Sequence, residues 1–236
     1  MPNAVLCLPT YNERENLERM IEALEPLGVH VLVIDDSSPD GTGEIADRLA
    51  AERPWLSVLH RERKEGLGRA YVAGFREVLR GDADYVLEMD CDFSHDPSDV
   101  PRLIAAVEGG ADLALGSRYV AGGGTENWGL VRRLLSRGAS IYTRVLLMPI
   151  HDSTGGFKCY RRRVLESIEL ETIDAAGYVF QIETTYRTLR RGFRVVEVPI
   201  HFADRTAGQS KMSRAIVFEA IWKVPVLRLR ALLGRL

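Results

Sequence analysis

Short apolar runs alternate with amphipathic stretches along most of the chain. Each run has the length of a buried strand, and each stretch repeats its apolar positions at helical spacing. Strands that alternate with helices predict an α/β fold, in which helices cover both faces of a mostly parallel central sheet. The predicted strands are residues 4–8, 29–34, 55–60, 85–89, 112–116 and 194–199.

The amphipathic stretches predict the helices that connect these strands. One of them, over about 132–148, is basic and bears several leucines, and the chain ends in a segment from 213 onward with apolar residues at helical spacing. Because proline lacks the backbone N–H that a helix interior needs, we expect Pro225 to interrupt that last segment. The other predicted helices end near residues 24 and 79 or cover 44–51, 98–107 and 176–191.

Two aspartates follow the predicted strand at 85–89. Asp90 and Asp92 stand two residues apart, and on an extended segment such side chains point the same way. Two carboxylates about 5 Å apart repel by roughly 3 kcal/mol at an effective dielectric of about 20, so a divalent cation between them would keep both ionised. The pair Asp96-Pro97 behind them is typical of a helix start. A polar turn before a capped helix is therefore the alternative interpretation.

Charged residues also follow other predicted strands. Parallel strands end at one edge of a sheet, and α/β proteins bind their ligands at that edge. We therefore expect a single ligand site there. The charged residues that fall at this edge are Glu13, Asp36, Asp90, Asp92 and Arg118.

The charge of the chain argues against nucleic acid as a partner. The 236 residues carry a formal net charge of −2, whereas nucleic-acid-binding domains usually have a basic excess. Acidic residues concentrate in the first part of the chain and basic clusters follow in the second part. Such a divided surface suits an anionic ligand held between a metal ion and arginines.

The cysteines indicate a reducing compartment. There are three, Cys7, Cys91 and Cys159, and their scatter is no disulfide framework. Zinc is not expected, because Cys91 and His95 have no second ligand pair at a useful spacing. No run approaches the roughly 20 apolar residues of a membrane-spanning helix, and no signal peptide precedes the first strand. We expect a cytoplasmic protein.

Short motifs follow one another in order from about residue 4 to residue 213. They are Pro9-Thr10-Tyr11-Asn12-Glu13, Ile34-Asp35-Asp36-Ser37-Ser38-Pro39-Asp40-Gly41-Thr42, Gly66-Leu67-Gly68-Arg69-Ala70-Tyr71, Met89-Asp90-Cys91-Asp92 with Ser94-His95, Gly116-Ser117-Arg118-Tyr119, Gly155-Gly156-Phe157-Lys158, Gly177-Tyr178-Val179-Phe180-Gln181 with Glu183, and Arg205 with Gly208-Gln209-Ser210-Lys211. The ordered set resembles the family 2 glycosyltransferases of the GT-A fold. Within that family it is most similar to the dolichol- and polyprenol-phosphate mannosyltransferases.

The resemblance implies a site for a nucleotide sugar. Asp90, the Cys91 backbone and Asp92 would hold its diphosphate through Mg²⁺ or Mn²⁺, which are hard cations that prefer oxygen ligands. Many relatives carry glutamine where Ser94 stands, so the shorter Ser94 would reach the metal through water. The other residues implied for the nucleotide and its diphosphate are Pro9, Tyr11, Glu13, Ile34, Asp36, Arg205 and Lys211.

The resemblance also implies an acceptor site in which Arg118, Arg132 and Ser136 bind a phosphate. Arginine suits this role because its planar fork forms two hydrogen bonds to a phosphate. A solvated basic helix face is the alternative interpretation of Arg132. Asp152 would orient the acceptor or the mannose, although an aspartate before Ser-Thr-Gly-Gly is also an ordinary turn former. The implied catalytic residues are Asp92, Arg118 and Asp152.

The implied reaction is the inverting transfer of mannose from GDP-mannose to a dolichyl or polyprenyl phosphate, giving a β-linked product. The main alternative is a polyprenyl phosphate glucosyltransferase that uses UDP-glucose. A non-catalytic nucleotide-sugar-binding protein is a further alternative. Loss of Asp92 or Lys211 would have favoured it, and both are present.

A lipid acceptor implies contact with a membrane surface. We expect a GT-A catalytic domain over 1–212 and an amphipathic helical tail over 213–236. The helix from Arg132 and this tail are suited to the bilayer interface with their apolar sides down, so that the protein is peripheral on the cytoplasmic face. Packing of the tail on the core, and attachment through a membrane-protein partner, are the alternatives.

Overall fold

A seven-stranded sheet forms the centre of the molecule. The structure, a computed structural model, describes residues 3–173, 177–204, 214–234 and 236, and of residues 214–220 the backbone alone. The strands are β1 (Ala4–Thr10), β2 (His30–Asp35), β3 (Leu56–His60), β4 (Tyr85–Glu88), β5 (Leu113–Ser117), β6 (Gly124–Thr125), β7 (Lys158–Arg161), β8 (Val195–Pro199) and β9 (His201–Phe202). The helices are α1 (Leu17–Leu24), α2 (Thr42–Glu52), α3 (Leu67–Val78), α4 (Val100–Glu108), α5 (Leu130–Leu146), α6 (Arg162–Ser167), α7 (Gly177–Arg190) and α8 (Arg214–Leu232).

The strands of the large sheet lie in the order β3-β2-β1-β4-β7-β5-β8. All neighbours pair in parallel except β7, which lies antiparallel between β4 and β5. Strands β6 and β9 form a separate parallel pair. The expected α/β fold with a mostly parallel sheet is confirmed.

Alternate residues of the strands enter two separate cores. Leu6 and Leu8 of β1 pack with α1, α2 and α4, whereas Cys7 between them packs with α3, α7 and α8. This alternation follows from the period-two geometry of a strand whose two faces are both covered. Helix α3 packs so closely on the sheet that a Cβ at Gly74 would come within 2.3 Å of Ile34 Cδ1.

A charged pair is buried on the side of the sheet that α3, α7 and α8 cover. Lys158 Nζ lies 3.2 Å from Glu88 Oε1, and neither side chain has any exposed surface. The ammonium also donates to Thr184 Oγ1 at 3.1 Å and to the Gln181 carbonyl at 3.1 Å. Burial raises the pKa of Glu88 and lowers that of Lys158, while each partner opposes the shift of the other. These contacts allow a lysine to stand inside a buried strand.

Helix α8 packs on the core by one side. Val224, Leu227 and Ala231 are buried in the same cluster as α3 and α7. The expected interruption at Pro225 is wrong, because α8 continues through it. Proline leaves the carbonyl of the residue four positions earlier without its helical partner. That carbonyl, of Ile221, instead accepts a hydrogen bond from the Tyr142 hydroxyl of α5 at 2.9 Å.

Exposed large apolar side chains are concentrated on two helices. Among the side chains that the structure describes, all of them lie on α5 and on α8 with the turn that follows it. Within the same residues, no helix combines the length and apolarity needed to cross a bilayer. The exposed apolar residues are Leu130, Val131, Leu134, Leu135, Ile141, Val145, Ile221, Trp222, Leu229, Leu232 and Leu233.

Candidate active site

A cavity of about 380 Å³ opens at the carboxyl ends of β1, β2, β4 and β5. It therefore lies at the sheet edge at which the charged residues were expected to meet. Of the predicted diphosphate clamp, Arg205 and Lys211 lie outside the described residues. The predicted site residues that line the cavity are Pro9, Tyr11, Glu13, Asp36, Asp90, Cys91, Asp92, Arg118 and Arg132.

Four other predicted residues lie behind the cavity wall. Ile34 is fully buried in the core under α3, and Ser94 is buried next to the carboxylate pair. Ser136 accepts a hydrogen bond from the Tyr119 hydroxyl at 2.7 Å. Asp152 has no exposed surface, and its carboxylate is bound to a residue of the wall. Any effect of these four side chains on a ligand in the cavity is therefore indirect.

The two aspartates after β4 both line the cavity. The Tyr71 hydroxyl donates to Asp90 Oδ1 at 3.3 Å, and the Ser94 backbone N–H donates to Asp92 Oδ1 at 3.0 Å. Phe93, directly after Asp92, has a φ of 58°, a left-handed conformation that is uncommon for a residue with a bulky side chain. The backbone is thus held in an unfavourable turn where the carboxylates are presented.

The same strained conformation recurs after the neighbouring strands. Asn12 follows β1 with a φ of 57°, and Ser37 follows β2 with a φ of 56°. The turn after β2 is held by Asp35, whose carboxylate accepts hydrogen bonds from the Ser38 hydroxyl at 2.5 Å and the Ser38 N–H at 3.2 Å. Strained backbone that the surroundings hold in place is a frequent feature of binding sites.

The carboxylate pair fits a divalent cation that shares its ligands with a substrate. The described residues contain no group of three or more histidine, cysteine or acidic side chains that would enclose a metal alone. Mg²⁺ in particular is commonly bound by one or two carboxylates together with substrate phosphates and water. Ser94 Oγ is buried beside the pair without a hydrogen-bond partner among the described residues. Asp90 and Asp92 would hold such a cation.

On the cavity wall Arg118 is almost completely buried and paired with Asp152. Its Nε and Nη2 donate to the two carboxylate oxygens at 2.7 and 2.6 Å, and Nη2 also donates to Thr154 Oγ1 at 2.9 Å. Burial alone would lower the pKa of Arg118, but the Asp152 carboxylate outweighs this effect and raises that pKa. The guanidinium is therefore a fixed positive charge.

Arg132 lies in the first turn of α5. Its Nη1 donates to Asp204 at 2.6 Å, and its Cζ lies 4.2 Å from the ring centroid of Trp128. Arg118 Cζ lies 5.4 Å from the same ring and 5.3 Å from that of Phe202. Two guanidinium groups and two aromatic rings thus form one cluster at this side of the cavity.

Acidic and basic side chains meet at the cavity where β1 and β2 end. Glu13 and Asp36 line the cavity there, and Lys64 Nζ lies 3.7 Å from the ring centroid of Tyr11. Arg61 Nη1 donates to Asp36 Oδ1. Burial nevertheless raises the pKa of Asp36, and Arg61 offsets this only in part. The arrangement offers hydrogen-bond acceptors, a cation and an aromatic face to a ligand.

Comparison with known proteins assigns this geometry to a family. The family model for glycosyl transferase family 2 matches residues 5–169. The chain belongs to glycosyltransferase family 2. The expected family is confirmed, and the protein is therefore a glycosyltransferase.

Relatives of this family 2 glycosyltransferase align with almost its whole length. It is 49% identical to the polyprenol monophosphomannose synthase of Mycolicibacterium smegmatis, over 98% of the chain and 89% of that protein. It is 48% identical to the undecaprenyl-phosphate mannosyltransferase of Micrococcus luteus, over 92% of the chain and 90% of that protein. It is 40% identical to the dolichol-phosphate mannosyltransferase of Pyrococcus furiosus, over 90% of the chain and 60% of that protein.

Solved structures resemble it in fold. A glucosyl-3-phosphoglycerate synthase from Mycobacterium tuberculosis in complex with UDP aligns with a TM-score of 0.71 at 21% identity, over 96% of this chain and 80% of its own. A mannosyltransferase from Pyrobaculum calidifontis in complex with GDP-Man and Mn²⁺ aligns with a TM-score of 0.61 at 15% identity, over 99% of this chain and 74% of its own. The expected GT-A fold is confirmed.

The cavity of this family 2 glycosyltransferase also contains residues to which sequence reasoning gave no role. Tyr178 and Gln181 belong to a motif that the sequence alone does not connect with a function. For His95 the sequence suggests only zinc binding, which is not expected here. Lys64 precedes the Gly66-Leu67-Gly68 motif. Its position before this glycine-rich helix start was the sequence signal that could have indicated Lys64 as a site residue. Trp128 follows a glycine-rich loop and had no such signal.

Proposed function

We propose that this protein transfers mannose from GDP-mannose to a polyprenyl phosphate and releases GDP. The observation that supports this most is that one cavity contains both the carboxylate pair Asp90 and Asp92 and the arginine pair Arg118 and Arg132. Two anionic substrates can meet in such a cavity only if each finds a counter-charge. The two relatives of 48 and 49% identity are a mannosyltransferase and a monophosphomannose synthase for the corresponding lipid phosphates.

The reaction is a single displacement at the anomeric carbon. An oxygen of the lipid phosphate forms the new bond, while the bond between the sugar and the GDP oxygen breaks and GDP leaves with the electron pair. A phosphate monoester carries about −1.5 to −2 charges near pH 7, so the nucleophile needs no general base. One displacement inverts the configuration, and an α-linked donor therefore gives a β-linked product.

Arg118 and Arg132 bind the acceptor phosphate in this proposal. Arg118 is suited to this work because Asp152 fixes its plane through Nε and Nη2, which leaves Nη1 outside this ion pair. The fixed charge attracts the phosphate and holds one of its oxygens towards the sugar. Ser136 acts indirectly, since its hydroxyl is bound by Tyr119.

Asp90 and Asp92 would hold Mg²⁺ or Mn²⁺, which would supply positive charge to the departing diphosphate. Tyr11 packs on the base, while Glu13 and Asp36 accept hydrogen bonds from the nucleoside. Pro9 and the Cys91 backbone complete this side of the cavity, and Ser94 remains a predicted ligand through water. Arg205 and Lys211 remain the predicted clamp on the diphosphate.

The lipid acceptor brings the protein to a bilayer in this proposal. The exposed apolar residues of α5 lie beside exposed arginines, namely Arg133, Arg137 and Arg144. Helix α5 begins two residues after Trp128 at the cavity, so that the apolar surface and the acceptor site are continuous. An amphipathic surface with flanking arginines suits the interface of an anionic membrane.

The free cysteines favour the cytoplasmic face of that membrane. One side of helix α8 packs on the core and the other side is exposed. In this proposal the exposed side lies at the bilayer interface. The division at residue 212 and attachment through a membrane protein remain predictions. A partner protein would cover the same exposed residues.

The experiment is the transfer of labelled sugar to a polyprenyl phosphate, with GDP-mannose and UDP-glucose in parallel and with Mg²⁺ or EDTA. We expect a mannolipid from GDP-mannose, none in EDTA, and no glucolipid. Glucolipid from UDP-glucose alone would overturn the proposed donor and retain the site. No lipid product from either donor, with nucleotide still bound, would indicate a binding protein.

A further inference from the structure

The indole ring of Trp128 contacts the side chains of both Arg118 and Arg132 at the cavity. It is only 7% exposed, it lines the cavity, and it stands in the loop between β6 and α5. The ring centroid is 4.2 Å from Arg132 Cζ and 5.4 Å from Arg118 Cζ, and Phe202 meets it edge-on at 5.4 Å. Three separate contacts therefore fix the plane of the indole, and its ring stabilises two cations at once.

Trp128 Nε1 is buried and makes no hydrogen bond to any of the described residues. Indole N–H is a donor only, so an oxygen must approach it. Buried tryptophans usually satisfy this group, because leaving a buried donor unpaired destabilises the protein. Arg132 Nε, on the neighbouring side chain, is also buried and makes no hydrogen bond to the described residues.

The backbone next to Trp128 adds a further attraction for anions. Helix α5 has Gly129 at its N-cap position, and no side chain caps its first N–H groups. The N-terminus of a helix carries a partial positive charge and offers those N–H groups to anions. The 17 residues of α5 make this a full-length helix, and its first turn contains Arg132.

We propose that Trp128 is a third phosphate-binding side chain, whose indole N–H donates to an oxygen of the acceptor phosphate held between Arg118 and Arg132. The ring also keeps the two guanidinium groups apart and in place. This inference rests on the proposed function, because it takes the acceptor to be a phosphate. The indole N–H adds a neutral, directional donor to the two guanidinium charges. It therefore fixes the position of one phosphate oxygen.

The test separates the N–H group from the ring. Wild type, Trp128→Phe and Trp128→Leu are assayed with GDP-mannose and a short-chain prenyl phosphate that dissolves without a membrane, and KM is measured for each substrate. A hydrogen bond to a charged group is lost in Trp128→Phe, so we expect its acceptor KM to rise about tenfold while the KM of GDP-mannose is unchanged. In Trp128→Leu the arginines also lose the ring, and acceptor KM rises further.

Trp55→Phe is the matched control. Trp55 packs against the core that contains α1, α2 and α4, directly before β3 and outside the cavity, and the same exchange there should leave both KM values unchanged. An acceptor KM for Trp128→Phe equal to that of wild type would overturn the proposal, and so would an equal rise in both KM values. Failure of the wild type to form any mannolipid would instead contradict the proposed function.

Discussion

Both carboxylate oxygens of Asp152 accept hydrogen bonds from the Arg118 guanidinium, and Oδ2 also accepts one from the Arg118 backbone N–H at 2.9 Å. Arg118 also donates to Thr154 Oγ1, so these hydrogen bonds connect the end of β5 with the segment 154–156, which lines the cavity. The sequence suggested that Asp152 orients a substrate. In the structure it has no exposed surface, so we propose that it acts on a substrate only by positioning Arg118.

Asp152→Asn tests this role. An asparagine keeps the shape but removes the charge and one of two acceptors, so Arg118 loses its fixed plane. We expect kcat/KM for the acceptor to fall about tenfold or more, with the KM of GDP-mannose unchanged. The free energy of unfolding also falls, because removing one partner of a buried ion pair costs about 3–5 kcal/mol. Steady-state kinetics and urea unfolding on the same samples measure both.

A purely structural role would give a different result. The variant would then lose stability, yet the folded fraction would keep both wild-type KM values. Glu183→Gln is a matched control, because it weakens another buried ion pair, with Arg187 of α7, outside the cavity. It should lower stability and leave the acceptor KM unchanged.

A hydrogen bond between α5 and α8 ends on the carbonyl that Pro225 leaves without a helical partner. Because the Tyr142 hydroxyl satisfies the Ile221 carbonyl, Tyr142→Phe should lower the free energy of unfolding by about 1 kcal/mol. In a Pro225→Ala background the helix supplies its own N–H to that carbonyl, so the same exchange should cost less. Thermal unfolding of the four proteins of this double-mutant cycle measures the difference. An identical cost in both backgrounds would show that the two residues are not coupled.

The sequence predicted the strands better than their arrangement. Apolar runs mark β1, β2 and β5 clearly, because both sides of these strands are covered. The position of β7 was not predictable, since Lys158 makes it look exposed until its buried partner Glu88 on β4 is known. Pro225 was misread for a similar reason. The hydroxyl that binds the freed Ile221 carbonyl belongs to Tyr142, which lies 79 positions before Ile221.

The site was predictable where its residues follow strands, because parallel strands place their carboxyl ends together. Asp90, Asp92 and Arg118 line the cavity for this reason. Which neighbouring side chain turns inward was not predictable. Ser94 is buried behind the wall, and Trp128 lines the cavity in contact with Arg118 and with Phe202, which lies 74 positions after it in the sequence.

Folding stability should depend on pH through His95. Burial lowers the pKa of this imidazole from its ordinary 6.5 to about 4, although Asp92 opposes the shift. Between these values the unfolded chain binds a proton that the folded protein does not, so stability is lost as pH falls through this window. His95→Gln should therefore flatten the dependence of the melting temperature on pH between about 5 and 6.5.

The measurement is made in EDTA, so that binding of a metal at Asp90 and Asp92 does not contribute. His201→Gln, which removes an exposed imidazole on β9, should keep the wild-type slope. A His95→Gln protein with the same slope as wild type would show that His95 takes up a proton equally in both states.

Binding to membranes should depend on the exposed apolar residues of α5. Leu134 is 62% exposed, and burying a leucine side chain contributes about 1.5–3 kcal/mol. We therefore expect Leu134→Asp to weaken binding to vesicles that contain anionic lipid by about tenfold or more. Co-sedimentation measures this effect. Ala51→Asp adds the same charge to an exposed position of α2 and should leave vesicle binding unchanged; equal binding by all three proteins would exclude α5 from the contact.

The most direct measurement is the rate of mannolipid formation from GDP-mannose and polyprenyl phosphate by wild type and Asp92→Asn. The wild type should form the product, and the variant should lose about a hundredfold or more of the rate, because it loses a charge that holds the cation on the departing diphosphate. Asp96→Asn, an exchange of an exposed helix-capping aspartate four residues away, should keep the wild-type rate. An Asp92→Asn protein as active as wild type, or a wild type that forms no mannolipid, would contradict the proposed site and reaction.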